Sequence, residues 1–288
     1  MAVEMERRSP EWPTAASRVV GTIGYPVDHS LSPRLHQAAF DALGLDWVSV
    51  GFPVAPGEAT AALRGALALG IAGLSVTMPH KADAARAVDE LTPLARRLGA
   101  VNCVTFEAGR MIGDSTDGAG VLRSLEHDAG FVASGHRCVV IGAGGAARAA
   151  AAALADAGAA EVVVVNRTEA RAEEAAMLAG PVGRTGTIED IEAADLVVHA
   201  TPYGMVGNGE VLAIAPLEVI AEVFRPGQVV MDLVYVPRWT PILETAAGRG
   251  AAVVGGLGML VFQAAVALEH WTGMPAPVDA MFEAVEDR

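Results

Sequence analysis

The sequence predicts an α/β protein of two successive strand-and-helix units, and three observations carry that prediction. Short apolar, often β-branched runs alternate with longer helix-compatible stretches along most of the 288 residues. One run, Cys138-Val139-Val140-Ile141, stops at Gly142-Ala143-Gly144-Gly145 and passes straight into an alanine-rich segment, Ala146 to Asp156, closed by Gly158. The next run, Glu161-Val162-Val163-Val164-Val165, completes a βαβ unit at the expected distance.

Residues 1–17 carry charges and prolines but no apolar leader, and read as a flexible tail. The first strand is Val19 to Ile23. The loop after it holds Ser30, Ser32 and Pro33, and Ser-Pro is a good N-cap and N1 pair for a helix Arg34 to Leu43 that Gly44 closes. Two hydroxyls at a helix start suit a carboxylate or phosphate; capping alone accounts for them equally well. Trp47 to Val54 is a second strand, and a helix follows that ends near Leu69-Gly70.

Gly73 to Thr77 is a third strand, broken by Pro79, with Lys81 opening a helix that runs to Val88. A helix N-terminus disfavours a cation, which would suit Lys81 to proton transfer; a plain surface lysine is the competing reading. Val101 to Phe106 is a strand with the amide of Asn102 inside an apolar run. Asp114-Ser115-Thr116-Asp117-Gly118 opens a helix Val121 to His127. Asp117 is a helix cap, or else a carboxylate partner for Lys81.

In the second unit, Gly142-x-Gly144-x-x-Ala147 is a dinucleotide fingerprint of the Rossmann type. Gly142, Ala143, Gly144, Gly145 and Ala146 supply the turn and the helix start that receive a pyrophosphate. The following strand ends in Asn166-Arg167-Thr168, with Arg171 one turn on. An acidic residue there would bind a ribose 2′-hydroxyl; two guanidiniums instead point to a 2′-phosphate, hence NADP, or to a pair of solvated arginines. Further strands, Asp195 to Ala200 and Gln228 to Tyr235, place Thr201, Leu233 and Tyr235 at the crevice. Ala252 to Val254 leads through Gly255 and Gly256 into an apolar helix carrying Met259 and Gln263.

A net charge of −14 argues against nucleic-acid and anionic-membrane partners. Cys103 and Cys138 sit in apolar runs and read as reduced core thiols, with no metal-ligand spacing near them. The longest apolar helix is too short to span a bilayer, so the expectation is a cytoplasmic protein, monomeric or homodimeric, with a small-molecule substrate.

Several separated motifs together resemble the shikimate dehydrogenase family. They are Gly24-Tyr25-Pro26-Val27 with His29-Ser30-Leu31-Ser32-Pro33 and His36; Val76-Thr77-Met78-Pro79 with Lys81; Gly99-Ala100-Val101-Asn102; Thr116-Asp117-Gly118; Asn166-Arg167-Thr168; Ala200-Thr201-Pro202 with Gly204-Met205; and Gly255 to Leu260 with Gln263. The resemblance implies a substrate domain, residues 18–118 with 260–288, and a Rossmann NADP domain, residues 119–259, the last helices returning to the former. It implies NADP-linked oxidation of shikimate to 3-dehydroshikimate in aromatic biosynthesis, without a metal. By the same likeness Ser30 and Ser32 hold the substrate carboxylate. Thr77, Asn102, Asp117, Tyr235 and Gln263 hold ring hydroxyls, and Lys81 is the acid/base with Asp117 its partner. The cofactor residues are Gly142 to Ala146, Asn166, Arg167, Thr168, Arg171, Thr201, Leu233, Gly256 and Met259. Ser75, Gln37 and Ser115 stand where the family commonly has Asn. The first and third flank ring-hydroxyl contacts, so a relative using quinate or aminoshikimate is the alternative.

Overall fold

The structure, a computed structural model, describes residues 13–205 and 217–286, so residues 1–12 of the expected tail lie outside it. Residues 14–17 are not loose. They form a turn whose Ser17 hydroxyl donates to Asp46 at 2.7 Å.

The first unit holds β1 (Arg18–Gly24), α1 (Ser32–Ala42), β2 (Trp47–Pro53), α2 (Ala59–Ala68), β3 (Gly73–Val76), α3 (Lys81–Ala87), β4 (Glu90–Leu91), α4 (Pro93–Leu98), β5 (Cys103–Glu107) and β6 (Arg110–Asp114). Its sheet runs β2-β1-β3-β5-β6-β4. β1 is parallel to β2 and β3, whereas β5 is antiparallel to β3 and β6. Simple strand and helix alternation therefore does not hold to the end of the unit. Glu107-Ala108-Gly109-Arg110 makes a two-residue hairpin, with φ of 47° at Ala108 and 77° at Gly109, the turn that matches strand twist.

The long helix α5 (Asp117–Ala129) leads into the second unit: β7 (Arg137–Ile141), α6 (Gly145–Asp156), β8 (Glu161–Val165), α7 (Glu169–Met177), β9 (Gly183–Thr185), β10 (Leu196–His199), α8 (Leu217–Val223), β11 (Val229–Asp232), α9 (Pro241–Gly248) and β12 (Ala252–Val254). This sheet is parallel throughout, in the order β12-β11-β10-β7-β8-β9. The chain moves outward from β7 on one side and then from β10 on the other, so a crevice opens between those two strand ends. Alternate residues of β7 and β8 serve opposite faces: Cys138, Val140, Val162 and Val164 pack in one core, Val139, Ile141, Val163 and Val165 in the other.

The helices α10 (Gly256–Thr272) and α11 (Val278–Glu286) return to the first sheet. Met259 joins the core of the second unit, and Leu260, Val261, Ala264, Leu268 and Trp271 join that of the first, with Met281 and Val285 of α11. The expected division at 118/119 falls inside α5 and that at 259/260 inside α10, so continuous helices cross both.

Three local expectations change. Ser32 is the first helical residue rather than the cap; Leu31 takes that place without a side-chain bond. α5 starts at Asp117, four residues before the expected Val121, because Asp117 itself favours a first turn. Asn102 sits in the bend ahead of β5 rather than within the strand.

Candidate active site

A cleft of about 460 Å³ lies between the two units. On the side of the first unit its chemistry is set by two helix starts. Lys81 is the first residue of α3 and Asp117 the first of α5, and Lys81 Nζ meets Asp117 Oδ2 at 2.5 Å. Asp117 is 4% exposed and Lys81 19%, so the carboxylate is shut in while the amine remains reachable from the cleft.

Asn102 fixes the carboxylate from its other side. The two hydrogens of its Nδ2 are shared among Asp117 Oδ1 at 2.7 Å, Thr116 Oγ1 at 2.9 Å and Gln263 Oε1 at 3.2 Å, and its Oδ1 accepts the Thr116 N–H at 2.7 Å. Gln263 is held in turn by Leu260 O at 2.8 Å. The bend before β5, the start of α5 and α10 thus converge on one buried polar chain. Such a chain is stable because every member is satisfied.

Ser30 and Ser32 also line the cleft, with the Ser32 N–H donating to Ser30 Oγ at 3.3 Å. Tyr235 arrives from beyond β11. Burial pushes its phenol above the ordinary range, and a hydrogen bond with Ser30 acts in the opposite direction. Thr77, after β3, completes the first-unit wall.

The second-unit wall is the glycine turn. Gly142 has φ of 122°, and a Cβ there would sit 2.8 Å from Ala200 O, so only glycine fits. Around Gly144 there is open space, and it caps α6 without a side-chain bond, which leaves the first N–H groups of α6 free for an anion. Gly145 abuts the Lys81 side: a Cβ on it would lie 3.3 Å from Lys81 Cδ. At the end of β8, Asn166 Nδ2 donates to Thr168 O at 3.0 Å, and Arg167 and Arg171 stand exposed at the cleft with no carboxylate partner among the described residues. Uncapped N–H groups and two unpaired guanidiniums form a donor set that fits a dinucleotide with an extra phosphate. NADP would lie on Gly142 to Ala146 and on Asn166, Arg167, Thr168 and Arg171, and Thr201, Leu233 and Met259 also line the cleft.

Gly256 is the exception among the expected cofactor residues. It lines an adjoining pocket with His127 and Phe282, and its missing Cβ makes room for Leu233 O, which would be 2.5 Å away. Its position is dictated by backbone packing. Conversely, Thr22 lines the cleft without having been expected there, and Ser75, expected only to flank a ring-hydroxyl contact, lines it too. They are neighbours in register across β1 and β3, both are buried, and their hydroxyls have no partner among the described residues. Lone polar residues within apolar strands were the available signal.

The family models that match are a shikimate dehydrogenase substrate binding domain over residues 22–104, a shikimate / quinate 5-dehydrogenase over 126–211 and a shikimate 5′-dehydrogenase C-terminal domain over 256–286. Shikimate dehydrogenase (NADP(+)) of Methanopyrus kandleri is 47% identical over 281 residues, covering 94% of this chain and 96% of its own. A crystal structure of a shikimate dehydrogenase in complex with NADP+ superposes with a TM-score of 0.87 at 39% identity, covering 95% of this chain and 96% of that one. The Thermus thermophilus shikimate 5-dehydrogenase in complex with NADP(H) and shikimate gives a TM-score of 0.84 at 35% identity, covering 94% and 99%.

Proposed function

The chain belongs to the shikimate dehydrogenase family, and from that premise we propose how its residues carry out the reversible, NADP-dependent oxidation of shikimate to 3-dehydroshikimate. The observation that carries the proposal is the Lys81 and Asp117 pair, 2.5 Å apart, lying directly against the dinucleotide turn at Gly145. Acid/base and cofactor elements come from different units and meet at one place.

When bound, NADP supplies the hydride acceptor. Lys81 handles the proton: it takes the hydroxyl proton during oxidation and returns one to the carbonyl oxygen during reduction. Asp117 orients the amine, and Asn102 and Gln263 hold Asp117 in place while offering groups to ring hydroxyls. Ser30 and Ser32 receive the substrate carboxylate, with Thr77 and Tyr235 on ring hydroxyls. Arg167 and Arg171 take the 2′-phosphate.

The same reading makes residues 18–118 and 260–288 the substrate domain and residues 119–259 the NADP domain. It places the enzyme in the cytoplasm, as a monomer or homodimer serving aromatic biosynthesis. No helix among the described residues is long and apolar enough to cross a membrane.

Initial-rate absorbance at the nicotinamide band tests the proposal, with shikimate and quinate each crossed against NADP and NAD. Fast turnover with shikimate and NADP alone is expected. A preference for quinate would overturn the substrate assignment, and a preference for NAD the phosphate site.

A further inference from the structure

His199 and Asp232 have no part in the chemistry above, yet they build a complete polar chain beneath the cleft. They are neighbours in register between β10 and β11, and both are fully buried. His199 Nδ1 meets Asp232 Oδ1 at 2.9 Å; that oxygen also accepts the Val234 N–H at 3.0 Å, and Oδ2 accepts the Thr240 hydroxyl at 2.6 Å. Three donors converge on the carboxylate, so the ring hydrogen is assigned to Nδ1. With that hydrogen on Nδ1, Nε2 is assigned the acceptor role, and it faces Thr201 Oγ1 at 2.5 Å. Thr201 therefore turns its hydroxyl hydrogen inward. Its oxygen takes the Tyr203 N–H at 3.3 Å and keeps one acceptor site, and Thr201 lines the cleft.

Topology says which part of a ligand lies there. Arg167 and Arg171 follow β8, the glycine turn follows β7, and Thr201 follows β10, on the opposite side of β7 from the arginines. A dinucleotide with its 2′-phosphate at the arginines and its pyrophosphate at the turn extends its remaining half over β10 and β11. We infer that Asp232 and His199 are positioning residues that fix the Thr201 hydroxyl as an acceptor for a hydrogen-bond donor on the nicotinamide riboside half of NADP. The inference rests on the NADP reading above.

Equilibrium binding of two probes tests it: NADP, and 2′,5′-ADP, which keeps the adenosine and 2′-phosphate but lacks the nicotinamide riboside. Thr201→Val removes the hydroxyl at constant shape and is expected to weaken NADP about tenfold while leaving 2′,5′-ADP within about twofold. His199→Leu should show the same split, and the double variant should bind NADP no worse than the weaker single, since both act through one hydroxyl. His199→Gln offers an N–H to Asp232 and a carbonyl to Thr201, and should recover NADP binding to within about threefold of the parent. Should His199→Leu fail to fold, Thr201→Val and His199→Gln still decide the matter. Undiminished NADP binding by Thr201→Val would overturn the inference, as would equal weakening of both probes, or losses in the double variant that simply multiply. A parent enzyme that does not bind 2′,5′-ADP would instead overturn the NADP reading, and the inference with it.

Discussion

Lys81 is one amine whose surroundings give it a task. Its partner Asp117 is buried and held by Asn102, so the charge it faces is fixed in direction. Lys81→Ala should lower kcat by about 10² to 10⁴, the usual scale for acid/base assistance, with a smaller change in KM; a loss of less than about fivefold in stopped-flow or steady-state rates would remove Lys81 from that role. Arg167 has no carboxylate partner among the described residues, so its guanidinium is available to a phosphate. Arg167→Ala is expected to weaken NADP by about ten- to a hundredfold and NAD hardly at all, and equal losses in a binding titration would refute the 2′-phosphate assignment. His36 illustrates a different consequence of burial. Desolvation lowers its pKa from the ordinary 6.5 to about 3, with its ring edge-on to Trp271 at 4.9 Å. Above the unfolded value both states are neutral and the full stability is present. As pH falls below 6.5 the unfolded chain binds a proton that the folded one refuses, so stability drops by up to about 1.4 kcal/mol per pH unit and levels off below about 3. Urea midpoints measured from pH 7 to pH 4 should therefore converge in favour of His36→Leu; parallel curves for variant and parent would show that His36 is not the cause.

The elements show what the sequence could and could not convey. β8 and β12 have the bounds expected from sequence, because uninterrupted β-branched runs end at turn residues. The glycine turn was equally legible, since a fingerprint is local. α4 was missed although its signals are present: Thr92 accepts the Ala95 N–H at 3.2 Å, Pro93 follows, and Gly99 ends the helix with φ of 61°. At six residues it is too short for a hydrophobic period to emerge. The chain Asn102, Asp117, Gln263 was approachable only through family resemblance, because 161 residues separate Asn102 from Gln263. His199 and Asp232 carried no such mark; strand register alone brings them together. One prediction belongs at this scale. The turn after β7 works because Gly142 adopts a left-handed φ against Ala200 O, so Gly142→Ala should cost about 1 to 3 kcal/mol of stability and displace the N–H groups proposed to receive the pyrophosphate. Thermal unfolding and NADP titration of the variant should both worsen; a variant indistinguishable from the parent would mean the turn has freedom that its geometry denies.

At the scale of the whole molecule, two sheets share one cleft and are bound together around it. α10 contributes Met259 to one core and Leu260 through Trp271 to the other, so neither core is complete without that helix. Trp271 lies so close to Gly73 that a Cβ there would fall 2.3 Å from its Nε1, which also donates to Val104 O at 3.1 Å. On the far side, Arg148 of α6 donates twice to Leu98 O at the end of α4, at 3.1 and 2.9 Å, beside an apolar contact of Leu98 and Ala100 with Ala149 and Ala152. Losing one unit would expose apolar surface of the other at both places, so the two should melt together. NADP is expected to bind mainly to the second unit and, at a hundred times its Kd, to add about 2.7 kcal/mol to whatever unfolds with its site. Calorimetry should then give a single endotherm that moves upward as a whole when NADP is added. Two endotherms, of which NADP moves only one, would mean that α10 and the α4 to α6 contact do not couple the units, and that the cleft is framed by two bodies that unfold independently.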